Sequence, residues 1–177
     1  MFLEELIWMN GLIELERKNL TAARQSRKRL NEILEINSIN NLNYKQPLKF
    51  YLHLSALIFA NEGKIEEANE KIADLEWIKE KLGYWSTAYD YAFFFNAIGQ
   101  IHEIMNQLED AEKSYREALS YNPHFALARF HLARLLDGNG DKEGARNEMK
   151  LFLEEWNEAD PDVRELVEAR EILPSAR

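Results

Sequence analysis

Four histidines are the residues of this sequence with the widest chemical range, because an imidazole can bind a metal or exchange a proton near neutral pH. They are His53, His102, His124 and His131. None belongs to the H-E-x-x-H pattern of a helical zinc site, since His102-Glu103 has no second histidine four residues later. His124 and His131 are seven positions apart on one helix face, which is two turns and too far for a shared metal without a third ligand. We therefore predict no metal site and no cofactor.

The other side chains that commonly carry catalysis form no recognisable site either. The sequence has no cysteine, which excludes disulfides, thiolate metal ligands and a cysteine nucleophile. It contains neither a G-x-S-x-G motif nor a glycine-rich phosphate loop. Acidic pairs such as Glu66-Glu67 and Glu154-Glu155 lie in predicted exposed helix, where solvated carboxylates are common. The sequence thus predicts a protein that is not an enzyme.

Composition narrows the choice of partner. The chain has 177 residues with a formal net charge of −9, and this acidic balance argues against a nucleic-acid partner. One segment is basic although the chain as a whole is acidic. Its predicted helix contains Arg24, Arg27, Lys28 and Arg29. We interpret it as a solvated helix face, with an anion-binding patch as the alternative. No apolar run approaches the length of a membrane span, and no basic leader precedes the first apolar residues, so we predict a cytoplasmic protein without membrane insertion.

A small residue recurs with a second small residue twelve positions later, four times along the chain. The pairs are Gly11 and Ala23, Ala56 and Ala68, Gly99 and Ala111, and Ala133 and Ala145. A turn signal lies within each pair: Arg17-Lys18-Asn19, Asn61-Glu62-Gly63-Lys64, Met105-Asn106-Gln107 and Gly138-Asn139-Gly140-Asp141. Apolar residues flank the turns at helical spacing, and Gly or Asn tolerates the left-handed backbone that ends a helix. Four antiparallel helical hairpins follow, with close contact expected where small residues meet, as at Gly99 and Ala111.

The third of these units resembles a tetratricopeptide repeat (TPR), whose pattern is W-x2-L-G-x2-Y, A-x3-F and P over about 34 residues. The matching residues are Phe95, Ile98, Gly99, His102, Ala111, Tyr115, Ala118 and Pro123. Units at about 4–37, 49–82 and 126–159 resemble the repeat less closely than the unit at 92–125, and the last has Arg129 in the tryptophan position. The resemblance implies an all-α fold, a right-handed α-solenoid of antiparallel helix hairpins, over residues 1–158.

The units are not evenly spaced. The small residues are 45 positions apart from Gly11 to Ala56, 43 from Ala56 to Gly99, and 34 from Gly99 to Ala133. This indicates two insertions, a polar loop at 38–43 and an extension of helix 64–82. Ser86 or Thr87 is placed to cap the helix that follows.

A last helix is expected to cap the array, within residues 160–173. Asp160 is a suitable N-cap, and Pro161 suits the first turn of a helix at about 161–172. The tail also resembles the end of TPR regions of bacterial multidomain proteins.

In TPR arrays the first helix of each hairpin lines a concave surface, which typically holds an extended or helical peptide. By matched position, the resemblance implies a groove lined by Trp8, Leu12, Phe50, His53, Leu57, Phe93, Asn96, Gln100, Glu103, Leu127, Phe130, Arg134 and Asp137. Such a surface suits a protein or peptide partner with bulky apolar anchors and a few hydrogen-bonding groups. The alternative is that the apolar members contact an extended helix or the inserted loops. The main hypothesis is a non-enzymatic scaffold for protein–protein interaction.

The first helix, MFLEELIWMNGLIEL, has apolar residues nearly all round, whereas a terminal repeat should have a polar outer face. Leu6 and Ile13 occupy positions where a preceding hairpin would pack. Either the chain is cut from a longer protein, or this face forms a homodimer, or the segment at 38–48 folds over it. The alternative function is therefore a self-associating or regulatory TPR segment of a larger bacterial protein.

Overall fold

The computed structural model of the chain describes residues 3–39, 45–82 and 87–172, which form helices joined by turns, without a strand. In chain order the helices are α1 Leu3–Glu16, α2 Leu20–Ile39, α3 Lys45–Asn61, α4 Ile65–Leu82, α5 Ala88–Ile104, α6 Leu108–Tyr121, α7 Ala126–Gly138, α8 Lys142–Glu155 and α9 Arg164–Ile172. The pairs α1–α2, α3–α4, α5–α6 and α7–α8 are hairpins of packed neighbours. The predicted all-α fold of antiparallel hairpins is confirmed.

The chain divides into two compact units, Met1–Trp85 and Ser86–Arg177. In the first unit α3 packs against α1, α2 and α4. Its core is built from small and aliphatic side chains, and the fully buried ones include Ala23, Leu30, Leu54, Ile58 and Ala68. The exact limits of the repeats, from 4–37 to 126–159, stay predictions.

In the second unit, helix α6 shows how the apolar pattern becomes a core. Its buried residues are Ala111, Ser114, Tyr115 and Ala118, at the spacing of one helix face. Ala111, Tyr115 and Ala118 pack with Phe95 of α5, and with α7 residues such as Leu132, in one cluster. Three helices therefore share the same apolar interior.

Helix α9 closes the second unit. Leu166 and Ala169 are buried in a cluster with Phe130 of α7 and with Met149 and Phe152 of α8. This last helix starts at Arg164, later than the predicted position near 161. The reason is local: the Asp160 carboxylate accepts a hydrogen bond from the backbone N–H of Asp162 and closes a separate turn before the helix.

Each hairpin reverses through one residue with a left-handed backbone. These residues are Lys18 (φ 58°), Gly63 (φ 72°), Asn106 (φ 58°) and Gly140 (φ 89°). The four turn signals are thus confirmed as reversals. In the first turn the left-handed residue is Lys18 and not the neighbouring Asn19, although asparagine adopts this conformation more readily.

The helix limits around the two insertions differ in part from the prediction. Thr87 caps α5 as predicted: its hydroxyl accepts from the Asp90 N–H, and the Asp90 carboxylate accepts from the Thr87 N–H. Helix α2 continues to Ile39, so Ser38 and Ile39 are helical and not part of a loop. The rest of the predicted loop, residues 40–43, and Ser86 lie outside the described residues.

Arg129, which occupies the tryptophan position of its unit, is only 12% exposed at its side chain. Its guanidinium donates to Glu148 at 2.7 Å and to Glu155 at 3.2 Å, both on α8, and to the carbonyl of Pro123. A half-buried ion-pair network therefore joins α7 to α8 where an aromatic ring is usual.

The close contact at Gly99 is filled by an aromatic ring. A Cβ added to Gly99 would overlap the ring of Tyr115, which lies one turn beyond Ala111 on α6. Tyr115 is completely buried, so its ring has no free space into which it can move. Glycine at this position is a packing requirement of the α5–α6 hairpin.

We predict that Gly99→Ala lowers the free energy of unfolding by about 1–2 kcal/mol. Overpacking costs about 1–3 kcal/mol, and the gain in helix propensity returns at most about 1 kcal/mol. Gly138→Ala is the matched control, because a Cβ there meets no heavy atom within 4 Å. The control should be neutral or slightly stabilising. Urea unfolding of the three proteins makes the comparison, and a Gly99→Ala protein as stable as the control would contradict this account.

Candidate partner-binding surfaces

The predicted groove residues of the first unit lie mostly in its interior. Trp8, His53 and Leu57 are buried, whereas Leu12 and Phe50 are half-buried. Trp8 stacks on Phe50, with ring centroids 4.8 Å apart, and its indole Nε1 donates to His53 Nδ1 at 3.1 Å. The structure thus brings α1 and α3 together through these side chains.

Burial is the main cause that lowers the pKa of His53 to about 4, and the nearby Lys49 ammonium lowers it further. The Trp8 hydrogen bond depends on this, because His53 Nδ1 accepts only while it carries no proton. The Lys49 ammonium lies 5.1 Å from the centroid of the Phe50 ring. A cation and an aromatic ring are therefore adjacent where this surface becomes partly exposed.

The three consecutive phenylalanines of α5 have different environments. Phe94 and Phe95 are buried, and their rings meet edge to face at 6.1 Å. Phe93 is half-buried and packs beside the cluster that contains Phe95 and Tyr115. Of the three rings, Phe93 is the one that keeps a partly exposed surface. It is also the one that the resemblance placed in the groove.

The other predicted groove residues of the second unit divide into buried and accessible members. Asn96 and Phe130 are buried, whereas Gln100, Glu103 and Arg134 are half-buried. Positions 93, 96, 100 and 103 follow one stripe of helix α5 by their spacing.

Five polar residues from α5, α7 and α9 meet in what we call the charged face: Gln100, Glu103, His131, Arg134 and Glu168. The Arg134 guanidinium is shared, with Nη2 at 3.5 Å from Glu103 Oε1 and Nε at 3.2 Å from Glu168 Oε1. Gln100 Nε2 and His131 Nε2 are 2.9 Å apart. Ion pairs and hydrogen bonds therefore link three helices.

Tyr115 of the buried core contacts two residues of the charged face. Its hydroxyl donates to Glu103 Oε2 at 2.5 Å, and its ring stacks on His131 at 5.3 Å. Burial, together with the Glu103 carboxylate, raises the pKa of the Tyr115 hydroxyl, so that it remains a donor. Burial also lowers the pKa of His131 to about 4, with Arg134 and Arg164 adding to the effect.

Sequence reasoning missed two members of the charged face, His131 and Glu168. His131 follows the predicted groove residue Phe130, but contact with Gln100 depends on how α5 and α7 pack. Glu168 belongs to the capping helix, whose register against α7 no repeat pattern supplied. In the sequence, the signal for this site was the polar members of the predicted groove, Gln100, Glu103 and Arg134.

The predicted self-association face remains open to solvent. Leu6 is 46% exposed and Ile13 is 47% exposed, and they are joined on α1 by Leu3 at 59% and Met9 at 41%. Large apolar side chains with this exposure at helical spacing form a patch, and patches of this kind are common at interaction sites.

The basic residues of α2 largely have contacts within the first unit. Arg24 forms an ion pair with Glu62 at 2.6 Å, and Arg27 lies over the ring of Phe59 at 5.1 Å. Such pairing favours a solvated helix face. Across the described ranges no three His, Asp or Glu side chains are grouped as metal ligands, and no helix is long and apolar enough to cross a membrane.

Comparison with known proteins shows what this architecture is similar to. Residues 104–170 match the family model described as tetratricopeptide repeat. The crystal structure of PilW, titled a widely conserved type IV pilus biogenesis factor, aligns with 99% of this chain and 88% of that one, at 18% identity and a TM-score of 0.50. The crystal structure of MamA protein aligns with 87% of this chain and 92% of that one, at 16% identity and a TM-score of 0.44. No curated protein matches the sequence.

The buried histidines predict how stability depends on pH. Both pKa values are lower in the folded chain, about 4, than the ordinary value of 6.5, so the unfolded chain binds more protons between these limits. The contribution of these histidines to the free energy of unfolding is therefore fully present above pH 6.5. It decreases as the pH falls toward 4, by up to about 1.4 kcal/mol per pH unit for each histidine.

Urea unfolding between pH 7 and pH 4.5 tests this dependence on wild type, His53→Gln and His131→Gln. Each variant should lose stability less steeply than wild type over the same window, because carboxylate protonation is common to all three proteins. Equal slopes in the three proteins would show that the histidines do not contribute.

Proposed function

We propose, from the tetratricopeptide-repeat segment at residues 104–170, that this chain is a non-enzymatic protein-interaction module. It binds a peptide or a partner helix along the first helices of its hairpins. We expect a protein partner and no nucleic acid, because the chain carries a net charge of −9. A cytoplasmic location and a bacterial origin stay predictions.

The observation that carries the proposal is the combination of an apolar ring and polar groups along one stripe of α5. Phe93 is partly exposed beside the core, and Gln100 and Glu103 follow it at helical spacing. An apolar anchor next to a few fixed hydrogen-bonding groups is the composition that peptide-binding grooves use. The charged face extends these polar groups onto α7 and α9.

The acidic and basic residues of this region support binding more than catalysis. Glu103 accepts from Tyr115 and faces Arg134, while Glu148 and Glu155 pair with Arg129. Each of these carboxylates is engaged by neighbouring side chains of the same unit, which is a structural role. We therefore assign no reaction to the chain.

Selection from a displayed library of random peptides tests the binding proposal. We expect enriched peptides whose affinity falls at least about tenfold on Phe93→Ala, the magnitude typical of a buried aromatic anchor. Lys113→Ala, an exposed change on α6, is the control and should leave binding unchanged. If both variants bind the selected peptides as wild type does, the α5 stripe is not the binding surface.

A second candidate function, self-association, rests on the open face of α1. Leu6, Met9 and Ile13 are spaced three and four residues apart, which is the spacing of a two-helix seam. Charged residues do not interrupt this stripe, so a second α1 helix could bury the same residues in a symmetric contact. We propose this homodimer as the alternative use of the first unit.

Light scattering of the isolated chain distinguishes a monomer from a homodimer. If the α1 face forms a dimer, the double variant Leu6→Glu, Ile13→Glu should be monomeric with little change in melting temperature, because both side chains are already exposed. Val167→Glu introduces one charge at a 45% exposed apolar residue of α9 and should leave the dimer intact. A monomeric wild type at high protein concentration removes this candidate.

A further inference from the structure

The net charge of the chain is concentrated in the second unit. Residues 86–177 carry 18 acidic and 10 basic side chains, a net charge of −8, whereas residues 1–85 carry 13 acidic and 12 basic ones. A field of one sign attracts partners of the other sign and raises their association rate. The second unit thus favours a basic partner before any particular contact is considered.

The charged face has the same imbalance at short range. A single guanidinium, that of Arg134, lies between the carboxylates of Glu103 and Glu168. The Glu103 side chain is 22% exposed and that of Glu168 is 36% exposed, so both can be reached from solvent. Two carboxylates that share one cation leave an unbalanced negative charge on this face.

A buried nitrogen at the charged face also lacks a partner. His131 is 7% exposed, and its Nδ1 has no hydrogen-bond partner in the part of the chain that the structure describes. This atom lies 3.8 Å from Glu103 Oε2, so it is directed toward the same carboxylate. Gln100 faces His131 Nε2 with its amide nitrogen, which is a donor, so His131 Nε2 accepts and the neutral ring carries its proton on Nδ1, beside Glu103. The acceptor that a ligand can reach at this point is therefore the Glu103 carboxylate.

We propose that the charged face binds a lysine or arginine side chain from a basic segment of a partner protein. This inference rests on the proposed function and specifies the chemistry of the ligand. Glu103 and Glu168 receive the cation, and Arg134 is the internal counter-ion with which it competes. The capping helix α9 therefore supplies part of the site through Glu168.

An acidic segment does not fit this arrangement. It would approach two carboxylates in a unit of net charge −8, and the only guanidinium within the charged face is already paired with both of them. Like charges brought together at an interface weaken binding. Preference between a lysine-rich and a glutamate-rich peptide therefore decides the question.

The test measures fluorescence anisotropy of four labelled synthetic peptides on the intact chain. Their repeating unit is Lys-Ala-Leu, Glu-Ala-Leu or Gln-Ala-Leu, and arginine replaces lysine in a fourth. We expect the lysine and arginine peptides to bind at least about tenfold more tightly than the glutamine peptide, and the glutamate peptide most weakly. Raising the salt from about 50 mM to about 500 mM should weaken the basic peptides selectively.

Three variants locate the site. Glu103→Gln and Glu168→Gln should each weaken the lysine peptide by about three- to tenfold, because each removes one carboxylate and keeps the side-chain size. Arg134→Gln should strengthen it by a similar factor, because both carboxylates lose their internal counter-ion. Glu154→Gln is the control for charge alone, since its side chain lies on α8 and is 58% exposed. It should change binding by less than about twofold.

Each other outcome overturns the inference. Tighter binding of the glutamate peptide, weaker binding by Arg134→Gln, or an equal effect of Glu154→Gln and Glu103→Gln excludes a specific cation site. If the glutamine peptide binds as tightly as the lysine peptide and loses affinity on Phe93→Ala, the groove function stands and only the basic partner is wrong. If no peptide of the series binds, the inference is wrong, and the library selection decides separately on the groove.

Discussion

The second unit is organised around the packing of Tyr115 over Gly99. The ring fills the space that a side chain at Gly99 would occupy, and it is completely buried. From this fixed position the hydroxyl donates to Glu103 and the ring stacks on His131, so one side chain connects the apolar interior with the charged face. A shift of α6 against α5 would therefore change the core and the polar surface together. For this reason the geometry of the candidate site is a property of the hairpin packing.

A second constraint recurs in every hairpin. It is the position of the left-handed residue in the turn. Lys18, Gly63, Asn106 and Gly140 are separated by 45, 43 and 34 positions, the same intervals that separate the small residues of the helices. The insertions consequently lie between hairpins, and each reversal keeps its register with the packing inside its own hairpin. Lys18 takes this conformation although a non-glycine residue pays about 1 kcal/mol or more for it. Helix packing in the first hairpin thus outweighs the local preference of the turn.

The sequence predicted the features that depend on neighbours along the chain. The four turns and the cap at Thr87 follow from spacing and residue type within one hairpin. Features that depend on how side chains pack between helices were missed or changed. The Gly99 contact involves Tyr115 one turn beyond the expected Ala111, and Glu168 meets Arg134 through a helix that no repeat pattern aligned. Trp8 and His53, which the resemblance placed in the groove, form a hydrogen bond with each other in the interior. A repeat pattern assigns a residue to a face, but side-chain partners determine whether that face stays open.

The two arginines of α7 show how the second unit separates structural charge from accessible charge. Arg129 and Arg134 are five positions apart, about 140° around the helix, so they point to different neighbours. The Arg129 side chain is 12% exposed, and its guanidinium is held by two carboxylates of α8 and a carbonyl. Arg134 is 36% exposed and touches one carboxylate on each of two other helices. Exchange of a partner at Arg129 would remove an ion pair between α7 and α8, whereas exchange at Arg134 redistributes charge on a surface. A ligand cation can therefore compete at Arg134 without unfolding the unit that presents it.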